Sequence, residues 1–135
     1  MPGELSFWYQ VENWRPAAGK QYAQAVVMVH DKGLLATIGE ETLQIRYILA
    51  GLDGPPYEKV RNARYLMAGS REPPQEGWLR FRTNVKEDFL KVWDFSPKSF
   101  DKIEFFFEVR YDDPIPPGQS ADADVYWDDF FLSRE

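Results

Sequence analysis

Polar and apolar residues alternate with a period of two along much of the chain. Leu5, Phe7, Tyr9 and Val11 are interleaved with Ser6, Trp8, Gln10 and Glu12, the pattern of a strand with one face buried. Tyr22 to Val29 is a continuous β-rich run that fits a strand covered on both faces. Leu43, Ile45, Tyr47 and Leu49 alternate again, Arg64 to Ala68 predicts a short strand, and Leu79, Phe81, Thr83 and Val85 another. Ile103, Phe105, Phe107, Val109 and Tyr111 form the strongest strand signal, and Val125 to Leu132 predicts the last. Asp88 to Trp93 reads equally as a strand or as one helical turn.

Breaks fall between these runs, at Arg15–Gly19, Asp31–Gly33, Gly51–Pro56, Arg71–Pro74 and Asp112–Asp122, each rich in the residues that turns require. Seven or eight strands so spaced, with almost no helical period, predict an all-β sandwich of two antiparallel sheets rather than βαβ units. The 135 residues suit one domain over 1–135, and no linker divides them. Because a strand-like segment follows Met1-Pro2-Gly3-Glu4 at once, with no signal peptide in view, the domain is expected to be excised from a larger multidomain protein.

Composition changes this picture in three ways. Aromatic residues make up 16% of the chain, with five Trp and seven Tyr, more than a core of this size needs, so some rings are expected outside to bind something. A net charge of −6 argues against nucleic acid, and the short apolar runs argue against a membrane span. With no Cys and a single His, His30, thiolate and multi-histidine metal sites are excluded. Glu104 and Glu108 lie roughly 13 Å apart along one strand, too far for a catalytic pair, and neither a Gly-x-Ser-x-Gly elbow nor a phosphate-cradling loop occurs.

The last third of the chain carries a resemblance. Gly77-Trp78-Leu79-Arg80-Phe81, Ile103-Glu104-Phe105-Phe106-Phe107-Glu108 and the closing Val125-Tyr126-Trp127-Asp128-Asp129-Phe130-Phe131-Leu132 resemble the β-jelly-roll carbohydrate-binding modules of the xylan- and glucan-binding type attached to bacterial glycoside hydrolases. The N-terminal half matches by pattern only, and the family's usual first strand, which often supplies part of a structural calcium site, is missing or very short. The resemblance implies a jelly roll that is not an enzyme. It implies binding of a polysaccharide or oligosaccharide of plant β-glucan or xylan type, in a monomer secreted to the extracellular space and tethered to a catalytic domain.

If the apolar phases face the core, the other phases share an outward face. The expected ligand-binding residues are Trp8, Trp78 and Tyr126 for stacking, with Gln10, Arg46, Arg80 and Glu108 for sugar hydroxyls. Trp8 or Trp78 covering core, and Arg–Glu pairs that merely face solvent, is the competing structural explanation. Trp14 and Tyr57 offer a second, loop-borne platform, against the alternative of a loop Trp folded onto the sheet. Asp112, Asp113, Asp122, Asp124, Asp128 and Asp129 crowd the end of the chain, and oxygen ligands of this kind suit calcium. Within Asp128-Asp129 an unbroken strand points one carboxylate inward. The resemblance implies Asp128 or Asp129 as a calcium ligand, against a hydrogen-bonded structural Asp. A structural or protein-interaction sandwich of a bacterial extracellular protein is the alternative function, and a small lyase or cyclase with an interior cavity comes third.

Overall fold

A computed structural model describes residues 1–57, 60–97 and 99–134. Among the described residues seven strands form two sheets. β1 (Glu4–Arg15) lies between β5 (Leu79–Asn84) and β7 (Asp122–Leu132) in a three-stranded antiparallel sheet. The second sheet has four strands in the order β4 (Ala63–Met67), β3 (Thr42–Ala50), β2 (Gln21–His30), β6 (Lys102–Tyr111). It is mixed rather than antiparallel throughout, because β3 and β4 run parallel. The connection after β3 therefore crosses back to start β4 beside Gln44 instead of making a hairpin.

The predicted apolar phases do line the space between the sheets. Leu5, Phe7, Tyr9 and Val11 of β1 meet Ala23, Ala25, Val27 and Val29 of β2 and Leu43, Ile45, Tyr47 and Leu49 of β3. Aromatic rings fill the gap: Phe107 stacks on Trp127 at 3.9 Å, and Phe7 on Phe81 at 5.0 Å. Such pairs add about 0.5–1.5 kcal/mol each beyond the area they bury.

Two helices join the strands. The short α1 (Leu34–Ile38) ends at Gly39, whose φ of 75° suits the left-handed cap that glycine adopts without strain. The longer α2 (Val85–Trp93) occupies the segment whose pattern was ambiguous. Asn84 caps it, its side chain accepting from the Glu87 N–H, and Glu87 and Asp88 complement the positive end. Val85, Phe89 and Trp93, four residues apart, drop into the core and close one flank of the sandwich. Asp88 accepts from both the Tyr47 hydroxyl (2.7 Å) and the Thr83 hydroxyl (2.5 Å), tying the helix to both sheets.

Two irregularities reset the alternation. Asn13 has φ 51° where the β1–β7 register shifts, so Trp14 turns inward and is buried. Trp14 is thus core, and the loop platform it was expected to share with Tyr57 does not form. At the other end, Asp129 has φ 55° at a second shift, between the pairs Ser6–Phe131 and Trp8–Asp128. The extra residue lets Trp127 and Phe130 both reach the interior side while Asp128 and Asp129 stay exposed. The inward carboxylate expected from an unbroken strand is absent because the bulge removes it.

Candidate functional site

The sandwich has two outer faces, and they divide the expected site residues. Pairing of β1 with β5 and β7 sets Trp8 between Arg80 and Asp128, and Gln10 beside Tyr126. Trp8, Gln10, Arg80 and Tyr126 thus share the outer face of the three-stranded sheet, and the exposed Trp78 stands at the start of β5. Arg46 and Glu108 do not join them. They belong to β3 and β6 of the other sheet, on its outer face, with the core between the two groups. A single outward face was expected because periodicity fixes which phase points out of a strand and says nothing about which sheet holds that strand.

On the three-stranded sheet the side chains stand largely in solvent. The Arg80 guanidinium lies 5.7 Å from the centre of the Trp8 ring, Gln10 donates to Glu12 (2.9 Å), and Arg82 pairs with Glu4 (2.6 Å). Asp128 accepts from the N–H of Asp129 at 2.8 Å, so it serves its own bulge. Among the described residues no three carboxylate or imidazole groups converge on a point.

The four-stranded sheet is organised differently. Cross-strand registers lay out its outer face in rows: Met67, Ile48, Gln24, Glu108; then Tyr65, Arg46, Val26, Phe106; then Ala63, Gln44, Met28, Glu104. Tyr22, Gln24, Val26, Gln44 and Ile48 are buried although they point away from the core. Longer neighbours across the strands and the start of the crossover after β3 shield them. β2 is thus covered on both faces, as its continuous apolar run predicted.

Two hydrogen-bond systems hold this face. In the first, Arg46 Nε donates to Gln44 Oε1 (2.9 Å) and its Nη1 to the Tyr65 hydroxyl (3.2 Å). In the second, Gln24 Nε2 donates to Glu108 Oε2 (2.7 Å), Glu108 lies 3.7 Å from Arg110, and Arg110 donates to Asp112 (2.9 Å). Tyr22 and Tyr57 also donate to Asp112, at 2.5 and 2.7 Å. Tyr57, expected on a loop platform, is drawn to this network instead. Burial pushes the Asp112 carboxyl up, but hydrogen bonds from Tyr22, Tyr57 and Arg110 outweigh it and hold the group below the usual carboxylate range. Burial, reinforced by the bond to Asp112, raises the Tyr22 phenol far above its ordinary value.

Two side-chain atoms of β2, Gln24 Oε1 and His30 Nε2, are left over among the described residues. Gln24 Oε1 is buried and accepts no hydrogen bond among the described residues, an arrangement that costs about 1–3 kcal/mol in an interior. At the β4 end of the same sheet, Pro55, Tyr57, Val60, Arg61, Ala63, Arg64 and Tyr65 line an open pocket of about 550 Å³. Sequence reasoning missed Gln24, Tyr65, Phe106 and Tyr22 as members of this face. For Tyr22, Gln24 and Phe106 the signal was the even-numbered phase of β2 and β6, which is bulkier than a merely solvated surface needs; Tyr65, on the short β4, gave none.

No helix among the described residues is long and apolar enough to cross a membrane. No family model, curated protein or solved structure matches the chain. The geometry of the two faces, set on a two-sheet, mostly β fold, is what a functional reading rests on.

Proposed function

We propose that the chain is a non-catalytic carbohydrate-binding domain that takes a plant polysaccharide of β-glucan or xylan type on the outer face of its four-stranded sheet. In this reading the sandwich is of jelly-roll type, and the domain works outside the cell as a tethered part of a larger protein. Tethering would raise the local concentration of an attached catalytic unit on its substrate without new contacts.

The observation that carries the proposal is a polar network buried on the outside of a sandwich. Gln24, Gln44 and Tyr22 are shielded, hydrogen-bonded and aimed away from the core. Burying a polar group costs stability unless it is hydrogen-bonded, and Gln24 keeps one buried oxygen without a partner among the described residues. A pyranose suits what the face offers. Successive rings of a chain can pack their C–H faces on Tyr65 and on Phe106, three strands away in the same row, while hydroxyls donate to Glu108 and accept from Arg46. Binding of this kind needs no proton transfer, and Glu108 is engaged by Gln24 and Arg110 rather than poised opposite a second free acid.

A second reading is favoured by the exposed rings of the other sheet. Trp78 and Tyr126 are nearly half exposed beside Trp8, a platform that suits either a flat glycan surface or a protein partner. Affinity electrophoresis separates the readings, in gels carrying xylan, mixed-linkage glucan, xyloglucan, mannan or pectin. The proposal expects one of these to retard the native chain, with retardation lost in Arg46→Ala and Glu108→Ala and kept in Trp8→Ala and Trp78→Ala. The reverse pattern moves the site to the three-stranded sheet, and no retardation by any glycan overturns carbohydrate binding.

A further inference from the structure

The two flanks of the sandwich are finished differently. On the flank formed by β4 and β5, α2 buries Val85, Phe89 and Trp93, and the Arg64 guanidinium lies 4.0 Å over the Trp93 ring. On the opposite flank β6 pairs only with β2, and β7 only with β1, among the described residues. Both strands are long, and each leaves one edge of backbone N–H and C=O groups free. Between them runs an apolar seam in which Phe105, Phe107 and Trp127 are only partly covered, while Val109 and Phe130 are 45% and 47% exposed. A long, flat, apolar edge of this kind is a template for another strand.

Charge decides which edge and which occupant. Beside the seam, β7 presents Asp122, Asp124 and Asp128, so two copies of β7 would set carboxylates against one another. The outer phase of β6 instead carries both signs, Lys102, Glu104, Glu108 and Arg110, with Asp112 just beyond. We infer that β6 pairs antiparallel with β6 of a second copy about a two-fold axis through Phe107. Such an interface is self-complementary, each residue meeting its counterpart twice.

In that register Glu104 faces Arg110 of the other copy, while Phe105 meets Val109 and the two Phe107 rings meet at the axis. Moving the axis by one residue removes the match. Centred on Phe106, Glu104 faces Glu108 and Lys102 faces Arg110; centred on Glu108, Glu104 faces Asp112. Like charges directly opposite destabilise a strand pair, which disfavours both of those axes; axes through Phe105 and Val109 also oppose unlike charges, Lys102 with Glu108 and Glu108 with Arg110, but they pair a shorter stretch of β6. Glu104, Arg110 and Lys102 are each more than a third exposed, and their present partners lie on or beside the same strand, which leaves them within reach of a neighbour. The pairing turns two four-stranded sheets into one of eight and covers the seam. It replaces the monomer expected from the sequence, and it stands whether or not the sheet binds a glycan.

Sedimentation velocity on the full chain tests the inference. The expected result is a species of twice the chain mass, weakened at least roughly tenfold by Glu104→Arg, which sets Arg against Arg110, and lost in Val109→Lys. Asp128→Lys, on β7, leaves it intact. Circular dichroism confirms that each variant keeps its strands. A native chain that sediments as a single copy throughout its soluble range overturns the proposal. So does a dimer that survives both β6 substitutions, or one that Asp128→Lys abolishes in their place.

Discussion

On the three-stranded sheet, Trp8, Arg80, Arg82 and Tyr126 stand out from strands whose other phase is core, and their contacts are single, exposed pairs. On the four-stranded sheet, residues at the same depth below the strand plane are tied into networks, and Tyr22, Gln24 and Gln44 are withdrawn from water. Both faces hold the residue types that recognise sugars. What separates them is preorganisation. An exposed Arg–Glu pair contributes about 0–1 kcal/mol and is screened by salt, whereas a buried, hydrogen-bonded carboxylate fixes the geometry of everything it touches. A ligand that meets the second face finds side chains already held, so less ordering opposes binding.

That comparison can be broken by substitution. The largest effect on folding is expected at Asp112, which accepts from Tyr22, Tyr57 and Arg110. Asp112→Asn should destabilise the fold by about 2 kcal/mol near neutral pH, the scale of hydrogen bonds to a charged group. The sign with pH follows from its depressed pKa. The carboxylate's contribution is fully present above the unfolded value of 3.8 and is lost as pH falls through the lower folded value. Urea titrations at neutral and strongly acid pH should therefore show the native and variant curves converging in acid. A gap that stays constant with pH would mean that the charge on Asp112 contributes nothing.

A smaller effect is expected on the opposite sheet. Arg82 pairs with Glu4 at 2.6 Å, but its side chain is 63% exposed. Arg82→Ala should change stability by less than about 1 kcal/mol, and salt should shrink even that. A loss as large as that of Asp112→Asn, unaffected by salt, would erase the distinction between the faces.

How far the chain betrays this arrangement varies from segment to segment. The inward phases of β1, β3, β5 and β6 are legible because burial of one face imposes strict alternation, and Leu5 through Val11 keeps it without error, while the unbroken run of β2 reads as a strand covered on both faces. The inward turn of Trp14, left open against a platform, and the outward Asp129 were hidden for one reason: a bulge with a left-handed residue shifts the phase, and Asn and Asp, which tolerate that conformation, also occur wherever a strand faces water. Asp88 to Trp93 was ambiguous because Phe89 and Trp93 satisfy both a period of two and a spacing of four, and Val85, read as the end of a strand, opens the helix instead. The Asn84 cap with Glu87 three residues on was the signal that could have decided it. The division of Trp8 from Arg46 was not legible at all, since strand partners lie tens of residues away and nothing local names them.

The five tryptophans offer the most direct test of the central claim. Trp8 and Trp78 mark the three-stranded face, Trp14, Trp93 and Trp127 lie in or against the core, and β2, β3, β4 and β6 contain none. Heteronuclear NMR of the labelled chain, titrated with xylo- and gluco-oligosaccharides, reads the indole N–H signals and the backbone amides together. The account predicts that amides of Gln24–Val26, Arg46 and Phe106–Glu108 shift to saturation while the Trp8 and Trp78 indoles stay in place. Shifts at the Trp8 and Trp78 indoles, with the β2, β3 and β6 amides unmoved, would contradict it and give the site to the other sheet.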